Sequence, residues 1–487
     1  MNHDCPIREG ARQTPDAEAL RFLEQTWTFR MLDAEVARWT EALVARGVGQ
    51  GDRVALLSTS HPSVTFLFWA LGRVGAVFAP LNARLTSAEL RPLMDAVEPK
   101  LTLALGSLRE RLTGAEALEA FTQGMVATSV PERAWDAETP RVILFTSGTT
   151  GRPKGAVLTE GAFRASCQGS AANLGRHAAP RWLGTLPLFH VGGLAMLTRT
   201  AYEGGCLLLH ERFDAEAVNR AIDVDGATHA SFVATTLERV LDARHDRTLP
   251  VTFECALIGG GPVPTALLTR ARAAGLRALQ TYGLTEACSQ VTTERPQEAD
   301  GRTAGPPLPG LEVRVVGADG APLGAGHEGD VEVRGPTVMV GYWNQPDATR
   351  EAFHDGWLRT RDVGVLDARG RLTLLSRRTD LIVRGGENLY PAEIEAVLAN
   401  HPAIAESAVV GVPDSHWGEV PVAFVVLRPG HSLPEDLDAW CRQSLARFKV
   451  PTRFVEIETL PRNAMSKVER SVLRRDAMSH PMYQSGS

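Results

Sequence analysis

Val142-Ile-Leu-Phe145 runs directly into Thr146-Ser-Gly-Thr-Thr-Gly-Arg-Pro-Lys-Gly155, an apolar run followed by a loop dense in glycine and hydroxyl side chains. The four apolar residues read as a buried strand. Glycines at 148, 151 and 155 let the backbone turn its amides inward as a nest around phosphate oxygens, and Lys154 adds a mobile positive charge. A Walker sequence cannot be written through this loop. Lys154 is one of four lysines among 51 basic residues, with Lys100, Lys449 and Lys467. In a chain that uses arginine almost everywhere, a retained lysine marks a place where a compact ammonium differs chemically from a planar guanidinium.

Outward from this loop, Val54-Ala-Leu-Leu57 reads as a second buried strand, while Phe29 to Arg46 and Thr86 to Ala96 carry helical spacing. The alternation, from Thr26 to about Ile258, predicts a parallel α/β sheet. Leu311 to Val316 and Asp330 to Arg334 instead alternate apolar and polar residues between glycine-rich turns, as antiparallel strands with one wet face do. A boundary is expected near Ser376 to Asp380. Beyond it come a strand at Leu381 to Val383, a helix from Pro391 to Asn400, strands at Ala405 to Val412 and Val422 to Leu427, a helix from Pro434 to Ala446, and a loose tail from Ser479. The fold class is therefore α/β: a large N-terminal domain (1–376) of parallel α/β subdomains with a small β-rich subdomain at about 305–375, a hinge at 377–380, and a small mobile α+β C-terminal domain (381–487).

At 487 residues the chain exceeds one ordinary core, and its apolar and charged fractions are those of a soluble globular protein. The formal charge of -6 supplies no basic field, which excludes nucleic acid as a partner. Six scattered cysteines have no zinc or redox spacing and are expected as reduced, buried thiols. No secretory signal is seen, and the greasiest stretch, Val64 to Leu71, is far short of the ~20 residues of a membrane span. A cytoplasmic protein is expected.

The loop 146–155 resembles the signature of the adenylate-forming superfamily: acyl-CoA synthetases, peptide-synthetase adenylation domains and beetle luciferases. Further motifs match in order: Leu186-Pro-Leu-Phe-His190, Gly259-Gly-Gly-Pro262, Thr281-Tyr-Gly-Leu-Thr-Glu286, Gly356-Trp-Leu-Arg-Thr-Arg-Asp362, Arg377 with Asp380, Gly385-Gly-Glu-Asn-Leu-Tyr-Pro391, and Leu460-Pro-Arg-Asn463 through Lys467. The resemblance implies that a carboxylate attacks the α-phosphate of ATP, releasing pyrophosphate, and that the thiol of coenzyme A then attacks the acyl-adenylate and expels AMP. It assigns Thr146, Ser147, Gly148, Thr149, Thr150, Gly151 and Lys154 to the β and γ phosphates, and Glu286 to Mg²⁺, a hard oxygen ligand for a hard cation. Thr285 is assigned to the α-phosphate. Tyr282 with Gly283 on one side and Gly259, Gly260 and Gly261 on the other would enclose adenine, with Asp362 and Arg377 on the ribose. Lys467 would bridge carboxylate and phosphate oxygens during adenylation. Rotation about a hinge at Thr379 and Asp380 would then bring Gly385 and Gly386 to a pantetheine tunnel.

Four positions depart from the family pattern. Ser376 and Arg361 stand where glycine is usual, and Met465-Ser466 precede Lys467 in place of Ser-Gly. A side chain at a position needing φ > 0 costs on the order of 1 kcal/mol. Lys449 is expected to be structural or near the coenzyme A entrance, and Lys100 a solvated surface residue.

His190 and Arg199 flank a largely apolar run, and a buried guanidinium there needs a partner. Pairing with an acid such as Glu203, outward snorkelling, and capture of a second substrate carboxylate are the alternatives. The run Thr285-Glu-Ala-Cys-Ser-Gln-Val-Thr-Thr293 resembles that of o-succinylbenzoate-CoA ligases of menaquinone biosynthesis, in which Ser289, Gln290 and Thr293 would line a polar acyl pocket and Arg199 would meet the substrate. That activity is the leading expectation, with a short- or medium-chain or aromatic acyl-CoA synthetase as the alternative and a non-catalytic adenylate-binding protein as a third. The partners would be ATP, coenzyme A and a small carboxylic acid; a homodimer is compatible with the resemblance, but the sequence does not set the oligomeric state.

Overall fold

The computed structural model describes residues 4–125, 135–146, 154–175, 177–245, 247–261, 263–377, 380–384, 387–414, 417–463 and 467–479, with backbone alone for Ser376, Arg377, Glu387 and Asn388. Two compact units emerge: Met1–Val263 with Leu267–Val313 and Glu332–Arg359, and Pro264–Ala266 with Arg314–Val331 and Thr360–Ser487.

The first unit is built on two mixed sheets. One runs in the order Gly341–Tyr342, Lys154–Thr159, Pro140–Thr146, Val77–Leu81, Arg53–Leu57, Leu101–Ala104, Glu116–Ala117. Its strands from Pro140–Thr146 onward are parallel, as the apolar runs predict. Lys154–Thr159 folds back antiparallel on Pro140–Thr146, and Gly341–Tyr342 adds a short antiparallel edge. Val142 and Ile143 are fully buried, as a strand covered on both faces must be.

The other sheet has eight strands in the order Ser289–Thr293, Ala278–Leu284, Cys255–Ile258, His229–Phe232, Arg181–Gly184, Cys206–Leu209, Glu18–Phe22, Gln25–Thr28. Its centre is parallel and both edges close antiparallel. The helices follow their local signals. Thr28 caps Phe29–Ala45 by accepting the Met31 amide at 3.3 Å, and Phe29, Leu32, Val36, Trp39 and Leu43 form its buried stripe. Val64 to Leu71 lies within the buried helix Pro62–Val74; no helix among the described residues is long and apolar enough to cross a membrane.

A third sheet contains Glu312–Val316, Glu328–Arg334, Trp357–Leu366 and Phe353–His354, with Leu372–Arg377 also on Trp357–Leu366. The pairings that Trp357–Leu366 makes with Phe353–His354 and Leu372–Arg377 are antiparallel. In the second unit, a fourth sheet holds Glu387–Leu389, Ile382–Arg384, Gly418–Leu427 and Ile404–Asp414, with Arg453–Glu456 added in parallel. Pro391–Ala399 forms as expected, but the helix expected over 434–446 is only Leu437–Arg442. The reason is local. Ser444 bonds back to Cys441 at 3.1 Å, an i→i+3 contact that tightens the last turn, so Leu445 completes the Leu437, Cys441, Leu445 core row from a turn. All six cysteines are buried and form no disulfide.

Candidate active site

In the first unit, residues expected to bind nucleotide lie where strands end, the usual place for a ligand in an open α/β sheet. Cys255–Ile258 runs out into Gly259, Gly260 and Gly261. A Cβ on Gly259 would stand 2.8 Å from Thr281, Gly260 has φ +81°, and Gly261 faces open space. Tyr282 is buried in the neighbouring strand. At Gly283 a Cβ would lie 1.7 Å from the Ser289 carbonyl oxygen, so pairing with the antiparallel edge strand admits no side chain there. Thr285 and Glu286 then occupy a single 3₁₀ turn, Thr285–Ala287. Cys288 (φ +53°) and Ser289 (φ +85°) reverse the chain into Ser289–Thr293. Two consecutive left-handed non-glycine residues are costly, and such strain persists only where surroundings enforce it. Here Ser166 donates to the Cys288 carbonyl at 2.9 Å.

Ser147, Gly148, Thr149, Thr150 and Gly151 lie outside the described residues. The two ends of their loop are in place. Thr146 faces Lys154 across the strand pair, and its hydroxyl donates to the Lys154 carbonyl at 3.3 Å. The Lys154 ammonium is 5.3 Å from the centre of the Tyr342 ring, and the Tyr342 hydroxyl donates to Glu286 Oε1 at 2.9 Å. Met339 also donates its amide to the Glu286 carbonyl, at 2.8 Å. Tyr342 belongs to no motif singled out in the sequence, because it reaches Glu286 from 56 residues away. A single carboxylate suits Mg²⁺, which keeps several waters and relies on one or two carboxylates plus substrate phosphates. Among the described residues no group of three or more His, Cys, Asp or Glu could form an all-protein metal cage.

The acyl-side residues form one connected network. Arg199, in the last turn of Val191–Tyr202, is 1% exposed. It makes no ion pair among the described residues, with Glu203 or any other acid; its Nη2 donates to Gln290 Oε1 at 2.6 Å and its Nε has no partner. Its guanidinium lies 4.6 Å from the centre of the Trp182 ring, which in turn stacks on His229 at 4.8 Å. Gln290 donates to the Thr293 hydroxyl at 2.8 Å, that hydroxyl meets Thr281 Oγ1 at 2.9 Å, and Thr281 donates to the Thr292 carbonyl at 3.0 Å. Neither outward snorkelling nor pairing with Glu203 is what the structure contains. Burial pulls the Arg199 pKa down, opposed by the nearby Cys167, Glu203, Cys255 and Cys288, while burial pushes the Cys167 thiol up to about 12. Ser289 is half-buried beside this network. His190 sits at the N-cap of the Arg199 helix with its ring 4.5 Å from Phe189.

In the second unit Asp362 is buried, pairs in register with Arg377, and donates its amide to the Thr360 hydroxyl at 3.1 Å. Arg361, just before it, has φ +64°. The glycine usual there thus answers a left-handed backbone, which arginine adopts at a cost of about 1 kcal/mol. The Arg377 side chain, Thr379, Gly385, Gly386, Met465 and Ser466 lie outside the described residues. Asp380 is 3.7 Å from Arg470, which also pairs with Glu395 at 2.6 Å. Lys467 is exposed; its amide donates to Asn463 Oδ1 (3.0 Å) and its carbonyl accepts from the Asn463 amide (2.8 Å). Lys449 is held by both oxygens of Glu393 at 2.7 Å, and Lys100 sits 3.5 Å from Asp52 on the surface.

Parallel sheets with glycine-rich and polar residues at their strand ends, followed by a small domain carrying a late lysine, fit a nucleotide-dependent carboxylate-activating class. The AMP-binding enzyme family matches residues 7–343, and the AMP-binding enzyme C-terminal domain matches residues 393–467. The chain belongs to the AMP-binding enzyme family. It is 39% identical to a 2-succinylbenzoate–CoA ligase of Bacillus cereus over 96% of this chain and 98% of that one, and 40% identical to that of Geobacillus kaustophilus over 96% and 97%. The o-succinylbenzoate CoA synthetase of Bacillus subtilis, solved with its acyl-adenylate intermediate, superposes with a TM-score of 0.91 at 35% identity, covering 97% of this chain and 98% of that one. ATP-bound MatB from Rhodopseudomonas palustris gives 0.91 at 29% identity, covering 99% and 100%.

Proposed function

We propose that this chain is an AMP-forming acid–thiol ligase that adenylates 2-succinylbenzoate with ATP and transfers the acyl group to coenzyme A, a step of menaquinone biosynthesis. The observation that carries the choice of acid is Arg199, a wholly buried cation that bonds an amide and makes no ion pair with any acid among the described residues. A fatty-acid tail gains nothing from such a group, whereas the second carboxylate of 2-succinylbenzoate supplies the missing charge. Ser289, Gln290 and Thr293 make the same pocket polar, and His190 borders it.

In the first half-reaction the substrate carboxylate attacks the α-phosphorus, the α–β bridging bond breaks, and pyrophosphate leaves. Catalysis is positioning and charge compensation. Lys154 and residues 146–151 hold the β and γ phosphates, Thr285 the α-phosphate, and Lys467 the carboxylate and phosphate oxygens as they approach. Glu286 would hold Mg²⁺, which would supply neutralisation of phosphate charge. Tyr282, Gly283 and Gly259 to Gly261 enclose adenine, with Asp362 and Arg377 on the ribose. In the second half-reaction the thiol of coenzyme A attacks the acyl carbonyl and AMP leaves; movement about Thr379 and Asp380 admits Gly385 and Gly386 to the thiol's path. The domain limits 1–376 and 381–487 follow from this division of labour. Six buried thiols without disulfides fit a cytoplasmic location.

A panel of acids assayed for coenzyme A-dependent AMP formation tests the reading, with 2-succinylbenzoate expected first. Benzoate or a medium-chain fatty acid outperforming it would move the assignment to the alternative acyl-CoA synthetase. Lys467→Ala should abolish acid-dependent exchange of labelled pyrophosphate into ATP yet largely spare thioesterification of supplied acyl-adenylate; equal loss of both would refute that role.

A further inference from the structure

Lys154 and Glu286 carry opposite charges, contact the same tyrosine, Lys154 at its ring and Glu286 at its hydroxyl, and make no ion pair with each other or with any other described residue. An ammonium and a carboxylate gathered by one side chain attract each other. A pair of that kind would consume the two charges that a metal–nucleotide complex needs. Resting on the ligase reading above, the geometry points to Tyr342 as a positioning residue that keeps Lys154 and Glu286 apart and aims each at its own ligand.

The two contacts use different parts of the side chain. The ring face lies under the Lys154 ammonium at 5.3 Å, a cation–π approach that leaves all three N–H donors available. The hydroxyl donates to Glu286 Oε1 at 2.9 Å, which fixes the carboxylate plane and leaves the other oxygen for a cation. The contact also joins two sheets, since Tyr342 is on the outer edge of the seven-stranded one and Glu286 follows the Ala278–Leu284 strand of the eight-stranded one.

Tyr342 is itself held rigidly. Trp343 donates to the Gly155 carbonyl at 2.7 Å and Val340 to the Val157 carbonyl at 3.1 Å, so the segment is tied to the strand that Lys154 begins. The Tyr342 amide donates to Thr349 Oγ1 at 2.9 Å. Gly341 has φ +151°, and a Cβ there would stand 2.8 Å from Thr349, so this close seating needs glycine. Met339 holds the Glu286 carbonyl from the same segment. One short stretch, 339–343, therefore positions the backbone and side chain of Glu286 together with the strand bearing Lys154.

Calorimetric titration of ATP binding against Mg²⁺ concentration, with no acid and no coenzyme A, tests the inference independently of which acid is activated. Tyr342→Phe keeps the ring and loses the hydroxyl. It should need about 10-fold more Mg²⁺ for half-maximal stimulation of ATP binding, the scale expected on losing a group that orients a metal ligand. Its ATP affinity without Mg²⁺ and its melting temperature should stay at the wild-type values. Tyr342→Leu, which also removes the ring, should weaken ATP binding without Mg²⁺ as well. In a Glu286→Gln background, Tyr342→Phe should add no further loss. Wild-type Mg²⁺ dependence in Tyr342→Phe, or an undiminished effect in the Glu286→Gln background, would overturn the inference while leaving the ligase reading standing. ATP binding by the wild-type protein with no Mg²⁺ dependence would overturn both.

Discussion

Arg141 and Arg199 both lie wholly buried in the same unit, and their surroundings differ in kind. Arg141 is paired with Glu160 at 3.0 Å, donates to the Phe68 carbonyl at 2.5 Å, and is ringed by Phe68, Trp69 and Trp135. Tyr202 donates to the same Glu160. Arg199 has an aromatic neighbour too, Trp182, yet meets an amide where Arg141 meets an acid. The first arrangement is electrically complete, and the second completes itself only with an anion. Burial alone therefore does not mark a functional arginine; the missing counter-charge does.

Removing each cation separates the two cases most sharply. Arg141→Met leaves Glu160 buried without its partner and should destabilise the first unit by about 3–5 kcal/mol, the cost of breaking a buried pair. Arg199→Met strands no buried acid and should move the thermal unfolding transition far less. Equal destabilisation by both would break the comparison.

Gln290→Leu sharpens it one step down. Arg199 loses its hydrogen-bonding partner and Thr293 its donor, so KM for 2-succinylbenzoate should rise about 10-fold, the scale of a hydrogen bond to a charged group. KM for ATP should not move. A matching rise for ATP would mean that the network serves the fold rather than the acid.

The smallest effect concerns the stack behind Trp182. Burial, with His177 and Arg199 nearby, lowers the His229 pKa to about 4, so the ring stays neutral in the folded protein while the unfolded chain binds a proton near pH 6.5. The unfolded state then binds more protons between these values, so stability falls as pH drops from about 6.5 toward 4. The contribution is on the order of 1–3 kcal/mol, and His229→Gln should flatten the acid limb of a melting-temperature profile.

Much of this was legible in the residues. The strand at 142–145, the helices beginning at Phe29 and Pro391 and the separate C-terminal pattern were readable because their periodicity and caps are local. The ordered motifs set the expected nucleotide residues for the same reason. What escaped was set by tertiary contact. Tyr342 meets Glu286 across two sheets, and the lack of an acid at Arg199 depends on what Val191–Tyr202 packs against. Gly283 looked like one more motif glycine until pairing with Ser289 left no room for a Cβ. At Arg361 the expectation and the structure meet, since the substituted glycine position is left-handed at φ +64°.

The most direct measurement is the ratio of kcat/KM for 2-succinylbenzoate to that for benzoate, taken on wild-type and Arg199→Met protein. If Arg199 receives the second carboxylate, the ratio should fall by about 100-fold or more, because a site built for a charged hydrogen bond discriminates strongly against a substrate lacking it. A ratio left unchanged, with both acids weakened alike, would contradict that role.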